Sequence, residues 1–412
     1  MLFMKVLLIN KFHRMVGGSE TYYFGLGDLL RQKGHEVIWF SMADERNVPC
    51  AQEKYFVSNI EYNGEMSKPE LVKAGMRTLY NFEARRKMEQ LIKDEKPDIA
   101  HVNLFQSQLT GAIIDALHKH HVPIIYTMHD LKPVCPTYLT MCHGQICRDC
   151  IHGNYMPCIR KRCMKDSMAK SILAAMEAEV YRKRKTYDKI DLIITPSDHH
   201  KKRLQESRVT KTEVIRMRNF LPDTIRFVDE VKAGTYFLYF GRISVEKGIL
   251  TLVKAFAQSK TNSDLYLVGK GTQEEEVKAL IRELGIENRV KMLGFKRGEE
   301  LQDIVRSAKA VFMPSECAEN APYSIMEAMA AGRPVIVSGN GGLPEIVKNG
   351  ENGYISRPRN AEHLAKIFNK VERMTEDELV EMGKTSQRMA REMFSPDKYV
   401  TEILRIYNEA NK

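Results

Sequence analysis

Two glutamates, Glu319 and Glu327, stand eight positions apart where an apolar run gives way to a short helical pattern. The apolar run ends at Met313 and predicts a buried strand, while Gly332 predicts the end of the helix. Pro322 suits the first turn of that helix, where a missing N–H costs least. Because ligands of open α/β sheets bind at the carboxyl ends of strands, the carboxylates are predicted to line a ligand site.

A second strand–loop–helix stretch carries positive charge instead. Arg242 and Lys247 lie in the loop GRISVEKG, directly after the predicted strand TYFLYFG and before a predicted helix. An arginine, a lysine and a helix N-terminus are the groups that bind a diphosphate. A solvated pair of surface cations is the alternative interpretation.

The N-terminal half offers two further positions. Gly17 and Gly18 precede a predicted helix, where they would let a ligand approach the backbone closely, although a plain turn explains them equally well. His129 follows the predicted strand PIIYTM, at the strand end where a side chain would reach a cleft. A histidine satisfied by neighbouring backbone is the alternative there.

A cysteine-rich insert at 135–163 follows His129 closely. Only one pair has the CxxC spacing of a metal knuckle, and His143 or His152 could replace a thiolate. In a chain predicted to be cytoplasmic, the pattern favours structural zinc over an iron–sulfur cluster, with reduced thiols or disulfides as the alternatives. The predicted ligands are a subset of Cys135, Cys142, Cys147, Cys150, Cys158 and Cys163.

Basic residues are concentrated beside this insert, in a chain whose formal net charge is +10. Arg160–Arg162 and a predicted helix over Lys165–Asp188 would form a basic face. A charge run is usually a solvated helix face. The sharper hypothesis is contact with anionic lipid headgroups or with a diphosphate-bearing acceptor.

The chain of 412 residues is long enough for two domains, and both halves alternate strand and helix patterns. We predict an α/β fold with an N-terminal domain at 1–218, a linker at 219–232, a C-terminal domain at 233–392 and a last helix at 393–412 that docks on the N-terminal domain. Within the N-terminal domain, one helix is predicted over 69–94 and another over 107–118. No apolar run approaches the length of a membrane span, and the apolar start is interpreted as a strand. The predicted location is the cytoplasm, with the inner face of the plasma membrane as the hypothesis that the basic face suggests.

The motifs of this chain resemble those of a known family. The chain resembles retaining glycosyltransferases of family 4 over almost its whole length, through FGRISVEKG, LVGKG, VKMLGF and the two glutamates around EAMAAGRPV. The resemblance implies the GT-B fold, which has two facing Rossmann-like domains with parallel sheets and a deep interdomain cleft. The chain departs from the usual pattern in its NAPY turn, in RNFLP at the linker and in the cysteine insert.

The resemblance also implies roles for individual residues. Glu327 would hold the ribose hydroxyls, Glu319 would face the donor sugar, and backbone around Phe295 would meet the base. Arg242 and Lys247 would stabilise the leaving diphosphate without a metal, in keeping with the absence of an Asp-x-Asp pair from the sequence. Sugar or phosphate oxygens would meet the backbone N–H groups of the turn Ala321, Pro322, Tyr323 and Ser324. Gly18 and His129 would complete the site from the N-terminal domain.

The expected reaction is transfer of a sugar, with retention, to a cell-envelope glycan or lipid-linked acceptor. A UDP-sugar is the default donor and GDP-mannose the next; no catalytic cofactor is expected. A sugar-nucleotide epimerase of the same fold is one alternative. A zinc-containing nucleic-acid-binding protein is another, but it leaves Glu319 and Glu327 unexplained, so no nucleic acid partner is expected.

Overall fold

The computed structural model describes residues 3–59 and 68–412, with side chains omitted at 68–72. The chain divides into two compact units. Unit 1 runs to Pro222 and takes in the C-terminal segment Pro396–Lys412, and unit 2 is Asp223–Ser395. The boundary lies inside the predicted linker of 219–232. No helix in the described ranges is long and apolar enough to cross a membrane.

Unit 1 is built on a parallel sheet with the strand order β2-β1-β3-β4-β7-β8. Its central strands are buried on both faces, which explains their nearly continuous apolar sequences. The strands are β1 (Lys5–Ile9), β2 (Glu36–Phe40), β3 (Ile99–Val102), β4 (Ile124–Thr127), β7 (Leu192–Thr195) and β8 (Glu213–Arg216). The insert adds a small antiparallel hairpin of β5 (Met141–Cys142) and β6 (Gln145–Ile146).

Helices connect the strands of unit 1. They are α1 (Gly18–Gln32), α2 (Lys68–Leu79), α3 (Phe82–Glu95), α4 (Gly111–Lys119), α5 (Met156–Arg160), α6 (Met168–Lys183), α7 (Asp198–Ser207) and, at the C-terminus, α14 (Pro396–Ala410). Helix α14 packs into unit 1 through buried aromatic groups. Tyr399 hydrogen-bonds Tyr22 of α1, and the Tyr407 hydroxyl lies 2.6 Å from Nδ1 of His101 on β3.

Three predicted helices of unit 1 have different bounds in the structure. The helix expected over 69–94 is divided into α2 and α3, because the Asn81 side chain accepts a hydrogen bond from the Ala84 N–H and starts a new helix. The helix expected from Ser107 begins only at Gly111, since Ser107 and its N-cap Thr110 have left-handed φ angles of 69° and 62°. The long basic helix ends at Lys183.

Unit 2 repeats the architecture with a parallel sheet of order β11-β10-β9-β12-β13-β14. Its strands are β9 (Tyr236–Phe240), β10 (Leu265–Val268), β11 (Val290–Gly294), β12 (Ala308–Met313), β13 (Val335–Ser338) and β14 (Gly353–Ser356). Its helices are α8 (Ile249–Gln258), α9 (Glu274–Glu283), α10 (Gly298–Arg306), α11 (Tyr323–Ala330), α12 (Ala361–Glu372) and α13 (Glu376–Met393). Strands β9 and β12 are neighbours, so the loops that follow them lie at the same sheet edge.

Candidate active site

The loop after β9 and the loop after β12 are packed backbone against backbone. Gly248 has a left-handed φ of 70°, and a Cβ atom there would lie 2.3 Å from the carbonyl oxygen of Pro314. The Glu316 N–H donates a 2.8 Å hydrogen bond to the carbonyl of Glu246. A side chain at position 248 would therefore separate the two loops that carry Lys247 and Glu319.

Lys247 and Glu319 form an ion pair at this contact. Lys247 Nζ lies 2.5 Å from Glu319 Oε1, and the side chains are only 14% and 12% exposed. The same carboxylate oxygen accepts a 2.8 Å hydrogen bond from the Ser315 hydroxyl and a longer contact, 3.6 Å, from the Cys317 thiol. The structure thus brings together two residues that the sequence places in separate motifs.

The pair is ionised despite its burial. Burial alone would lower the pKa of Lys247, but the Glu319 carboxylate raises it above its usual value. Burial alone would likewise raise the pKa of Glu319, but Lys247, Ser315 and Cys317 hold it below its usual value. Lys247 is consequently an ammonium group held in a fixed position, paired with a carboxylate, at the carboxyl end of the unit 2 sheet.

Arg242 lies on the same loop but is far less constrained. Its side chain is 67% exposed, and its nearest ion-pair partner is Glu246 Oε1 at 3.5 Å. Only its backbone is tied down, by a 2.6 Å hydrogen bond that the Tyr239 hydroxyl donates to its carbonyl. The guanidinium is therefore free to move toward an anionic ligand at little cost.

Glu327 lies on α11, and its side chain differs from that of Glu319 in having no hydrogen-bond or ion-pair partner among the residues that the structure describes. Burial raises the pKa of Glu327 to about 7. A carboxylate kept without a protein partner at such a cost is typical of a site that supplies its partners from a ligand.

The turn before α11 corrects one detail of the sequence analysis. Pro322 is the N-cap of α11 rather than a residue of its first turn. Because proline has no N–H, it contributes a carbonyl, which accepts a 3.1 Å hydrogen bond from the Ile325 N–H. The predicted N–H donors are thus limited to Ala321, Tyr323 and Ser324, of which the last two begin a helix whose first N–H groups have no intrahelical acceptor.

Phe295 follows β11 and is 64% exposed. The preceding Gly294 has a left-handed φ of 68°, and its carbonyl accepts a 2.8 Å hydrogen bond from the Gly269 N–H at the end of β10. The backbone around Phe295 therefore lies at the same edge of the sheet as the other loops. Its predicted contact with a base stays a prediction.

The two predicted residues of unit 1 lie on neighbouring elements. His129, after β4, packs its ring edge-on against Tyr22 of α1, with 4.9 Å between centroids, and its Nε2 lies 2.8 Å from Asn103 Oδ1. Burial lowers the pKa of His129 to about 3, so the imidazole is neutral. Gly18 is exposed and begins α1. The N-cap residue of α1 is Gly17, whose N–H donates a 2.9 Å hydrogen bond to the Glu20 carboxylate.

A charged cluster at the same sheet edge of unit 1 escaped the sequence analysis. Lys132 Nζ lies 2.8 Å from Glu177 of α6 and donates 2.7 Å to the carbonyl of Pro136, so the pair holds the start of the insert on α6. Burial is the main cause that lowers the pKa of Lys11 and raises the pKa of Asp130. Their positions in the sequence could have indicated this cluster, since Lys11 and Asp130 each closely follow a strand of the parallel sheet.

The six cysteines of the insert are reduced and close to one another. The sulfur atoms of Cys142 and Cys163 are 3.3 Å apart, and Cys150 and Cys158 pack with Tyr155 in one buried cluster. Burial, followed by the nearby Cys135 thiol, raises the pKa of Cys150 to about 12 and that of Cys158 to about 11.

No group of three or more metal-ligating side chains in the described ranges is arranged to hold a metal ion. The high pKa values mean that these thiols need a bound cation to become thiolates at neutral pH. The zinc site, and the iron–sulfur cluster ranked below it, stay predictions.

Two protein families match this chain, one in each unit. The family described as Glycosyltransferase Family 4 matches residues 16–220, and the family described as Glycosyl transferases group 1 matches residues 223–389. An uncharacterized glycosyltransferase of Methanocaldococcus jannaschii is 26% identical over 365 residues, which are 85% of this chain and 84% of that protein.

Two further proteins are informative. The lipopolysaccharide 1,2-N-acetylglucosaminetransferase of Salmonella typhimurium is 34% identical over 150 residues, which are 33% of this chain and 39% of that protein. The structure of Anabaena HepE in complex with UDP and glucose has a TM-score of 0.66 at 18% identity and covers 98% of this chain and all of that one.

The ion pair generates a stability prediction. Lys247→Ala should lower the free energy of unfolding by about 3–5 kcal/mol, because it leaves Glu319 buried without its counter-ion. Adding Glu319→Gln should recover most of this loss, as urea denaturation at pH 7.5 would measure. Arg242→Ala is the matched control and should cost less than about 0.5 kcal/mol. An unchanged stability for Lys247→Ala would contradict the buried pair.

The insert generates a second prediction, on metal content. Protein purified without chelators should carry about one equivalent of zinc by elemental analysis, and Cys150→Ser should lose it. Cys50→Ser, outside the insert, is the matched control and should keep the metal. Less than about 0.3 equivalents of zinc or iron in the wild-type protein would favour reduced thiols.

Proposed function

Because the chain belongs to glycosyltransferase family 4 and is a GT-B glycosyltransferase, we propose that it transfers a sugar from a nucleotide sugar with retention of anomeric configuration. A UDP-sugar is the proposed donor, with GDP-mannose as the second choice. The proposed acceptor is a cell-envelope glycan or a lipid-linked glycan. The observation that carries the proposal is the buried, ionised Lys247–Glu319 pair at the carboxyl ends of β9 and β12.

The proposed reaction breaks the bond between the anomeric carbon of the donor and its diphosphate oxygen. Negative charge grows on the leaving diphosphate, so a cation fixed nearby stabilises the transition state more than the ground state. Lys247 is suited to this role because Glu319, which Ser315 holds by a hydrogen bond, already keeps it in place, which limits reorganisation during the reaction. Arg242 can move onto the diphosphate because its side chain is exposed.

Glu327 is proposed to bind the ribose of the nucleotide. A carboxylate has two acceptor oxygens and can receive a hydrogen bond from each of two neighbouring hydroxyl groups. Its raised pKa fits this role, since the two hydroxyls would replace the partners that the protein does not supply. Ala321, Tyr323 and Ser324 are proposed to give N–H groups to sugar or phosphate oxygens.

Unit 1 is proposed to bind the acceptor. Its sheet edge carries the neutral His129 beside Asn103, together with Lys11 and Asp130. A neutral imidazole and a carboxyl group can exchange hydrogen bonds with sugar hydroxyls without a strong charge preference. Retention is usually explained by attack on the same face, in which the departing phosphate takes the proton of the acceptor, so no protein nucleophile is assigned.

The relatives support this choice of substrates. Anabaena HepE was solved with UDP and glucose, which supports a UDP-sugar donor. The Salmonella relative acts on lipopolysaccharide, which supports an envelope glycan as acceptor.

The role of Glu327 predicts how UDP binding responds to pH. Wild-type affinity for UDP should weaken as pH falls from 8 to 6, because Glu327 takes up a proton near pH 7 and loses part of its acceptor capacity. Glu327→Gln should bind UDP about tenfold or more weakly at pH 8 and show a flatter pH profile, as titration calorimetry would measure. An identical affinity and pH profile in the variant would contradict the assignment.

Removal of the Arg242 side chain should impair catalysis and leave the fold intact. Arg242→Ala should lose about tenfold or more in kcat/KM, because one cation that stabilises the leaving diphosphate is removed. Arg282→Ala, on the exposed side of α9, is the matched control and should keep wild-type kinetics. Wild-type kcat/KM in Arg242→Ala would remove this residue from the mechanism.

Product analysis tests the reaction itself. The protein is incubated with UDP-sugars or GDP-mannose and with envelope glycan acceptors, and products are separated by chromatography. Transfer predicts release of the nucleoside diphosphate together with an extended acceptor, and proton NMR should show the anomeric configuration of the donor. Conversion of the donor to a second sugar nucleotide without acceptor would indicate an epimerase instead.

A further inference from the structure

Helix α6 of the described structure presents apolar side chains to solvent along one face. Met168, Ile172 and Met176 are 41%, 39% and 46% exposed, and their spacing of four residues aligns them in one stripe. The opposite face of the helix is buried through Ala174, Tyr181 and the ion-paired Glu177. The helix therefore has one face packed in unit 1 and a second apolar face outside it.

Positive charge lies at both ends of this stripe. Exposed Lys185 follows its end, and exposed Arg160 and Arg162 precede the helix. The Met164 N–H donates a hydrogen bond to Ser171 of α6, which keeps this basic segment against the helix. Within the described residues, none of these three basic side chains takes part in an ion pair.

Part of the surrounding charge is neutralised. Glu179 pairs with Arg182 and Lys183, and Asp149 pairs with Lys161. The surface that remains is an apolar stripe with unpaired cations at its two ends. The name α6 surface is used below for Met168, Ile172, Met176 and the basic residues Arg160, Arg162 and Lys185.

We propose that the α6 surface docks unit 1 on an anionic lipid bilayer, with Met168, Ile172 and Met176 inserted among the headgroups. A helix that lies in the membrane interface has a narrow apolar face flanked by lysine and arginine, and its binding depends on anionic lipid. The net charge of +10 favours the same partner at long range. The proposal does not rest on the identity of the donor or the acceptor.

A bilayer fits these residues better than a second copy of the chain would. Two copies of the α6 surface related by a two-fold axis would bring their unpaired cations together. Three flexible side chains in a single stripe also form a narrow contact for a stable dimer, whereas they suit insertion into a fluid interface. Charge complementarity thus selects the anionic surface.

Vesicle flotation of the full-length protein tests the proposal. Vesicles of phosphatidylcholine with about one third phosphatidylglycerol should carry the protein to the top of a density gradient at low salt, and pure phosphatidylcholine should not. Binding should fall steeply when the ionic strength is raised, because the cations are exposed. Equal binding to both vesicle types, or binding to neither, would overturn the proposal.

Two variants separate the apolar and the charged contributions. Ile172→Glu should reduce the bound fraction by about tenfold, and the pair Arg162→Glu with Lys185→Glu should do the same. Leu284→Glu and Lys254→Glu, which alter exposed residues of unit 2, are the matched controls and should bind as the wild type does.

The fold and the oligomeric state of Ile172→Glu are measured alongside its vesicle binding. Circular dichroism and thermal melting should be unchanged in this variant, since the side chain is exposed. Size-exclusion chromatography should show the same oligomeric state for the variant and the wild type. A wild-type dimer that Ile172→Glu dissociates would assign the α6 surface to a second copy and overturn the membrane proposal.

Discussion

The Lys247–Glu319 ion pair is the interaction on which the unit 2 site depends. A buried pair contributes to a fold only when its geometry is good and further hydrogen bonds satisfy its atoms, because desolvation of two charges is costly. Here Ser315 donates to the carboxylate, and the close contact at Gly248 lets the two loops approach. The same features hold a cation where the strands end, so the stability of the loops and the chemistry of the site share one contact.

Much of the fold follows from local sequence. Apolar runs predict the buried parallel strands, and the resemblance to family 4 identifies Arg242, Lys247, Glu319 and Glu327 from their motifs. The contact between Lys247 and Glu319 could not be predicted in this way, because the two residues belong to separate motifs and meet only when β9 and β12 become neighbours. No periodicity encodes that contact. The chain is a glycosyltransferase, as the sequence analysis predicted, and both units have the expected parallel sheets.

Where sequence analysis was wrong, a local hydrogen bond or a backbone angle overrode a broad pattern. A single helix was predicted over 69–94, but the side chain of Asn81 begins a new helix within that range. Pro322 was expected inside a helix and instead precedes it. The charged residues Lys11, Asp130, Lys132 and Glu177 come from three separate parts of the sequence, and their proximity became visible only in three dimensions.

We propose that the Lys247–Glu319 pair presents an ammonium group to the diphosphate of the donor. Titration calorimetry of UDP with the double variant Lys247→Met/Glu319→Gln tests this role most directly, because the variant leaves no stranded charge and its fold can be verified by thermal melting. We expect the UDP affinity of the variant to be at least about tenfold weaker than that of the wild type, with the fold retained. Wild-type affinity in the folded double variant would contradict it.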